Sequence, residues 1–327
     1  MTFRALVVNK SDDHYQCELT QLSSEALPDE DVHLKVLYSS LNYKDGLAIT
    51  GKAPVVRKFP MIPGIDLVAE VIQSRDEQFK AGDKVVLNGW SVGEKYWGGL
   101  AEYANLRGDW LIPLPSKLSA EQAMWIGTAG YTAMLSVMAL QQHHISPESG
   151  PIVVTGAGGG VGSFAVYLLA KLGFKVIAVT GRESLHPYLK ELGASEFMAR
   201  EELDKPGKPL QKEQWAGAID CVGSHTLANV CARTQYGGVV ACCGLAQGMD
   251  LPASVAPFIL RGVTLAGIDS VMRPKADRIK AWAQLAELVD ANMLAKIGQT
   301  IPLEQALDYA HQLMDGQVKG RVAVKIA

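Results

Sequence analysis

The sequence has no excess of positive charge: lysine and arginine number 31 against 34 aspartates and glutamates, a formal balance of −3. Proteins that grip nucleic-acid phosphates carry a basic face, so no nucleic-acid partner is expected. No uninterrupted apolar run approaches the roughly 18 residues of a bilayer-spanning helix, so no membrane partner is expected. The apolar start, Ala5–Val8, is too short for the core of a secretion signal, and the expected compartment is the cytoplasm. Cysteine is scarce: Cys17, Cys221, Cys231, Cys242 and Cys243, an odd number with no C-x-x-C spacing. A four-thiolate zinc lobe is thereby excluded, and reduced, mostly buried thiols are expected. The seven histidines show no metal-ligand spacing. Neither a fixed-period repeat nor a low-complexity tract occurs, which argues against a solenoid.

What is present fits a globular chain. Hydrophobic residues make up 48% and charged residues 20% of 327 residues, which suggests about two domains. The first part alternates apolar and polar residues, as in Val32–Tyr38, with Gly, Asp and Pro turns between strand-like runs. From Ser119 the texture changes to an Ala/Met/Leu-rich helical stretch, then to strands and helices in turn. Strand–helix alternation predicts a parallel sheet with right-handed crossovers. The fold class expected is α/β, with a doubly wound domain over 126–270 and a β domain built from 1–125 plus 271–327. The last strand, Arg321–Ile326, is expected to pair back with the N-terminal part, and Val263–Ile268 to form a sheet edge.

The strongest local signal is the run Val153-Val-Thr-Gly-Ala-Gly-Gly-Gly-Val-Gly162, after a buried-type strand and opening a helix. Small residues let this turn tighten and let backbone approach a pyrophosphate, while the helix N-terminus offers unpaired N–H groups. Gly158, Gly159, Gly160, Val161 and Gly162 are therefore candidate cofactor contacts. An NAD site usually carries an acid at the tip of the following strand, for the ribose 2′-hydroxyl. Here the tip reads Thr180-Gly181-Arg182, without an acid. Arg182 and Thr180 suit a 2′-phosphate, which points to NADPH over NADH. Arg200, after the third strand, is either a second positive contact or a solvated surface arginine.

These features resemble the medium-chain dehydrogenase/reductase superfamily over essentially the whole chain, including Gly127-Thr-Ala-Gly-Tyr-Thr-Ala133 at a helix entry. The resemblance is to its zinc-free, quinone-oxidoreductase-like branch. Ser39–Asp45, Phe59–Asp66, Gly93–Glu102 and Pro257–Arg261 are similar to the acryloyl-CoA-reducing members. Zinc alcohol dehydrogenases place a cysteine near Asn42 and a Gly-His-Glu near Gly64. This chain has Asn42 and Gly64-Ile65-Asp66 there, so no metal is expected.

The resemblance implies a GroES-like β domain completed by the C-terminus, a Rossmann domain, and a homodimer. It implies NADPH-dependent reduction of the C=C bond of acryloyl-CoA to propanoyl-CoA, the acyl-CoA being the small-molecule partner. It has Asn42–Asp45 close a strand facing the nicotinamide and places Tyr43 beside the cofactor, as a hydrogen-bond or proton donor or as a packing ring. Asn42 is a donor to a developing oxyanion or a turn residue. Thr128 lines the nicotinamide cleft or bonds its own helix backbone. Trp90, Tyr96 and Trp97 wall the acyl arm or form a satellite core, and Lys52, Arg57 and Lys58 form a rim for CoA phosphates or are ordinary surface cations. Rival expectations are a quinone or enone reductase, and a non-catalytic NADPH-binding structural protein of crystallin type.

Overall fold

A computed structural model describes residues 2–12 and 14–327. The chain divides into two compact units, Met1–Thr128 with Ser270–Ala327, and Ala129–Asp269. In the first unit β1 (Thr2–Ser11) and β2 (His14–Ser23) pair, and β3 (Val32–Leu41), α1 (Tyr43–Thr50), β4 (Asp66–Ser74), β5 (Lys84–Asn88), β6 (Tyr103–Leu106) and β7 (Ile112–Pro113) follow. Helix α2 (Ala120–Gln142) carries the chain onward. The second unit holds β8 (Ile152–Val154), α3 (Gly160–Lys171), β9 (Val176–Thr180), α4 (His186–Glu191), β10 (Glu196–Ala199), β11 (Trp215–Asp220), α5 (Ser224–Arg233), β12 (Thr234–Cys242), α6 (Ala256–Arg261) and β13 (Thr264–Gly267). The chain then returns as α7 (Lys275–Leu288), α8 (Ala291–Ile297), β14 (Gly298–Pro302), α9 (Ala306–Met314) and β15 (Arg321–Lys325).

The first unit is a sheet in the order β14-β15-β3-β4-β5-β7, with β6 also on β3. Alternation explains β3: Val32, Leu34 and Val36 are fully buried while Lys35 faces out. β15 pairs antiparallel with β3, so the C-terminal strand completes the N-terminal sheet. Leu34, Leu67, Leu87, Val324 and Ala306 share its core.

The second unit is an all-parallel sheet, β10-β9-β8-β11-β12-β13. Counted from β8 this is the 3-2-1-4-5-6 order of a doubly wound dinucleotide fold. Its central strand β8 is fully buried, as parallel strands covered on both faces must be.

Two expectations need correction. Asn42–Asp45 does not close a strand: β3 ends at Leu41 and α1 starts at Tyr43, with Asn42 as its N-cap. And α2 does have the length and apolar character of a membrane span; 89% of that stretch is buried, which suits a core helix. Within α2, Gly127 leaves helical geometry at φ 49°, ψ −157°. A Cβ there would collide with the Arg321 guanidinium and lie 2.6 Å from Asp66 Oδ2. Only glycine fits both that space and that positive φ.

Candidate active site

In the first unit, one buried carboxylate organises the residues around Tyr43. Asp66 begins β4 and is fully buried. Its Oδ2 accepts from Ser40 Oγ (2.7 Å), Asn42 Nδ2 (2.8 Å) and the Thr128 backbone N–H (2.8 Å). Its Oδ1 accepts from Asn88 Nδ2 (2.7 Å) and Thr128 Oγ1 (2.5 Å). The Arg321 Nη2 stands 3.6 Å from Oδ2. Arg321 is equally enclosed, donating to Ser40 Oγ, Asn42 Oδ1 and the Leu41 and Trp125 carbonyls. Burial pulls its guanidinium below the usual value, against the opposing pull of Asp66 and Asp45.

Asp45 forms a second anchor. Its Oδ1 accepts from the Gly64 and Ile65 N–H groups (3.1 and 2.9 Å) and its Oδ2 from the Asn42 N–H (2.8 Å). Burial, aided by the charge of Asp66, raises its carboxyl to about 6. Asn42 is thus committed on both sides, its amide nitrogen to Asp66 and its oxygen to Arg321. Thr128 bonds Asp66 through both backbone and hydroxyl. Tyr43 is different: it stands at the first position of α1, and the residue is 50% exposed.

In the second unit the glycine run turns sharply between β8 and α3. Gly156 adopts φ 59°. A Cβ on Gly162 would run into the Gly156 carbonyl, so this position admits no side chain. Gly159 is the N-cap of α3, and the N–H groups of Gly160, Val161 and Gly162 form the helix's first turn. A Cβ on Gly158 would lie 3.4 Å from Arg182 Nη2, and one on Gly181 would lie 3.2 Å from the Arg200 guanidinium carbon. The two guanidinium groups therefore flank the glycine turn and the end of β9, where Thr180 Oγ1 accepts from the Arg182 N–H at 3.2 Å. A pyrophosphate on the turn and a further phosphate between the arginines match this donor set.

Asp66 and Arg321 as a pair, and Asp220, were missed in the sequence. Asp220 ends β11 buried, accepting from Thr155 Oγ1 (2.6 Å) and the Gly223 N–H (2.8 Å), and burial raises its carboxyl. It ties the strand before the glycine turn to the next strand end. The available signal was a charged residue at the end of an apolar run, Asp220 after Ala218-Ile219 and Arg321 before Val322-Ala-Val324.

The alcohol dehydrogenase GroES-like domain family matches residues 28–116, and the zinc-binding dehydrogenase family matches residues 160–291. The chain is 51% identical over 323 residues to the probable acrylyl-CoA reductase AcuI of Escherichia coli (strain K12), covering 99% of each. It is 49% identical over 327 residues to the acrylyl-CoA reductase AcuI of Ruegeria pomeroyi, again covering 99% of each. The yhdH oxidoreductase of Salmonella enterica, solved in complex with NADP, superposes with a TM-score of 0.97 at 52% identity, covering 100% of both chains. The zinc in the second family's description does not suit these residues. Among the described residues no three His, Cys, Asp or Glu side chains converge, Ile65 offers no ligand, and Asp66 already faces a guanidinium.

Proposed function

Because the chain belongs to the medium-chain dehydrogenase/reductase superfamily, we propose that it reduces the C=C bond of acryloyl-CoA to propanoyl-CoA with NADPH and without a metal. Full-length identity near one half to two acrylyl-CoA reductases carries this reading. The second unit is the dinucleotide domain, with Gly158–Gly162 on the pyrophosphate and Thr180, Gly181, Arg182 and Arg200 around the 2′-phosphate. The first unit is the substrate domain.

Bound NADPH supplies a hydride to the substrate β-carbon. Charge then collects on the thioester oxygen as an enolate, and a proton must reach the α-carbon. Tyr43 is the exposed residue of this group, and its phenol is the donor proposed to meet that charge. Asn42 and Thr128 act as positioning residues, because their polar atoms are held by Asp66, Asp45 and Arg321. Asp66 and Asp45 fix the start of α1 and so the backbone that carries Tyr43. Five free thiols suit a reducing cytoplasm.

The test is steady-state NADPH oxidation with acryloyl-CoA set against simple quinones, before and after dialysis against a strong chelator. Turnover of the thioester that survives chelation is expected. Quinone turnover with no thioester turnover overturns the substrate, and zinc that tracks activity overturns the metal-free chemistry. Tyr43→Phe should lower kcat by about 10²–10³ while NADPH binding holds, as loss of one oxyanion donor does. Wild-type kcat in that variant reduces Tyr43 to a packing ring.

A further inference from the structure

The segment between Asp45 and Asp66 contains no acidic residue, and its only charges are Lys52, Arg57 and Lys58. Lys52 pairs with Asp315 at 3.3 Å. Arg57 and Lys58 are exposed and have no ion-pair partner among the described residues. The backbone brings a third such cation beside them. The Arg57 N–H donates to the Glu94 carbonyl at 2.8 Å, which sets 57–58 against 94–96, where Lys95 is also exposed and, among the described residues, without an ion-pair partner. Glu94, the one acid in that turn, is turned to Lys44 at 2.8 Å and is 17% exposed. Its charge is spent on the residue next to Tyr43.

Two aromatic rings accompany the cations. Phe59 is 37% and Tyr96 is 38% exposed. Tyr96 rests on Trp110 with ring centroids 4.8 Å apart, and Phe59 meets the edge of Tyr15 at 5.9 Å. The turn is also closed by its own backbone hydrogen bonds. The N–H groups of Glu94, Lys95 and Tyr96 all point to the Ser91 carbonyl, at 3.2, 2.9 and 3.3 Å. Exposed cations carried on such a turn, with exposed rings beside them in sequence, suit an anion that also carries a flat base.

We propose that Arg57, Lys58 and Lys95, with the rings of Phe59 and Tyr96, bind the phosphate-bearing adenosine end of coenzyme A. The assignment rests on the acyl-CoA reading above and goes beyond it to the residues that select a CoA ester over a plain thioester. Lys44–Glu94 connects this patch to the start of α1, so the nucleotide end is held on the same unit as Tyr43.

The test compares KM for S-acryloyl-CoA with KM for S-acryloyl-pantetheine, which keeps the thioester and lacks adenosine and its phosphates. Wild type is set beside Arg57→Gln/Lys58→Gln/Lys95→Gln in the full chain. Three exposed charge contacts each contribute a factor of about 1.5–5, so the wild type should favour the CoA ester roughly tenfold. That preference should fall near one in the triple variant, with kcat on the CoA ester retained, and should shrink in about 0.5 M salt. An unchanged preference overturns the proposal. A rise confined to the KM for NADPH also overturns it, by assigning the cations to the dinucleotide. Calorimetry with adenosine 3′,5′-bisphosphate separates the two readings. If neither thioester is reduced, the acyl-CoA reading fails, yet wild-type binding lost in the variant upholds the patch and equal binding overturns it.

Discussion

Asp45 illustrates what enclosure does to one carboxyl. Its value of about 6 lies above the roughly 3.9 of an unfolded aspartate, so the folded state holds its proton more tightly. The stability it contributes is full below pH about 4 and is lost as pH rises through about 6. The loss, complete by neutral pH, amounts to about 3 kcal/mol. Asp45→Asn should flatten that part of the stability curve, measured by urea unfolding between pH 4 and 7; parallel curves would refute it. Asp66 and Arg321 show the opposite risk. Removing either strands the other's charge in the interior, at a cost of about 3–5 kcal/mol. Asp66→Asn and Arg321→Met should each lower the urea midpoint, and the double variant should lose less than the two together. Strict additivity would mean that the two are not coupled. Arg182→Ala should raise the KM for NADPH by about 10- to 150-fold and leave that for NADH nearly unchanged, since a charged hydrogen bond is worth about 1.5–3 kcal/mol. Equal rises with both cofactors would place Arg182 away from the 2′-phosphate.

The glycine turn is an element whose shape depends on an absence. A methyl at position 162 meets the Gly156 carbonyl and the Ala157 Cα. Gly162→Ala should therefore open the turn, with an overpacking cost of about 1–3 kcal/mol and loss of NADPH binding by fluorescence titration. Retained binding would show that the turn can yield. This element was legible because all its determinants lie within 152–171: a buried strand, a glycine run, a helix. The same holds for β3, whose alternation is local, and for Arg182 at a strand tip. Helix α1 was not legible. At eight residues it is too short to show a period, and Tyr43-Lys-Asp-Gly46 reads equally well as a strand end. The break in α2 was hidden too, because Gly127 needs its conformation only once Arg321 and Asp66 are beside it. The Asp66–Arg321 pair joins residues from opposite ends of the sequence, and no window of sequence contains both.

At the scale of the whole molecule, the second unit's sheet ends in β13, which among the described residues pairs only with β12. Its residues are half-buried at best, and Val255, Ile259 and Leu260 nearby on α6 and its approach are 66%, 73% and 64% exposed. An uncovered apolar edge favours pairing with a second copy. Light scattering should give twice the 35.2 kDa of one chain, and Leu265→Lys should return it to one. A wild-type particle of single-chain mass would rule this out. The register of β15 on β3, Val322 beside Leu41, has a consequence for biosynthesis. A ribosome finishes the whole second unit while the first unit still lacks its closing strand. Until Arg321 leaves the exit tunnel, Asp66 and Asp45 have no buried cation to face. The N-terminal sheet must therefore stay open to water during most of translation, and the domain made first in sequence is the one completed last.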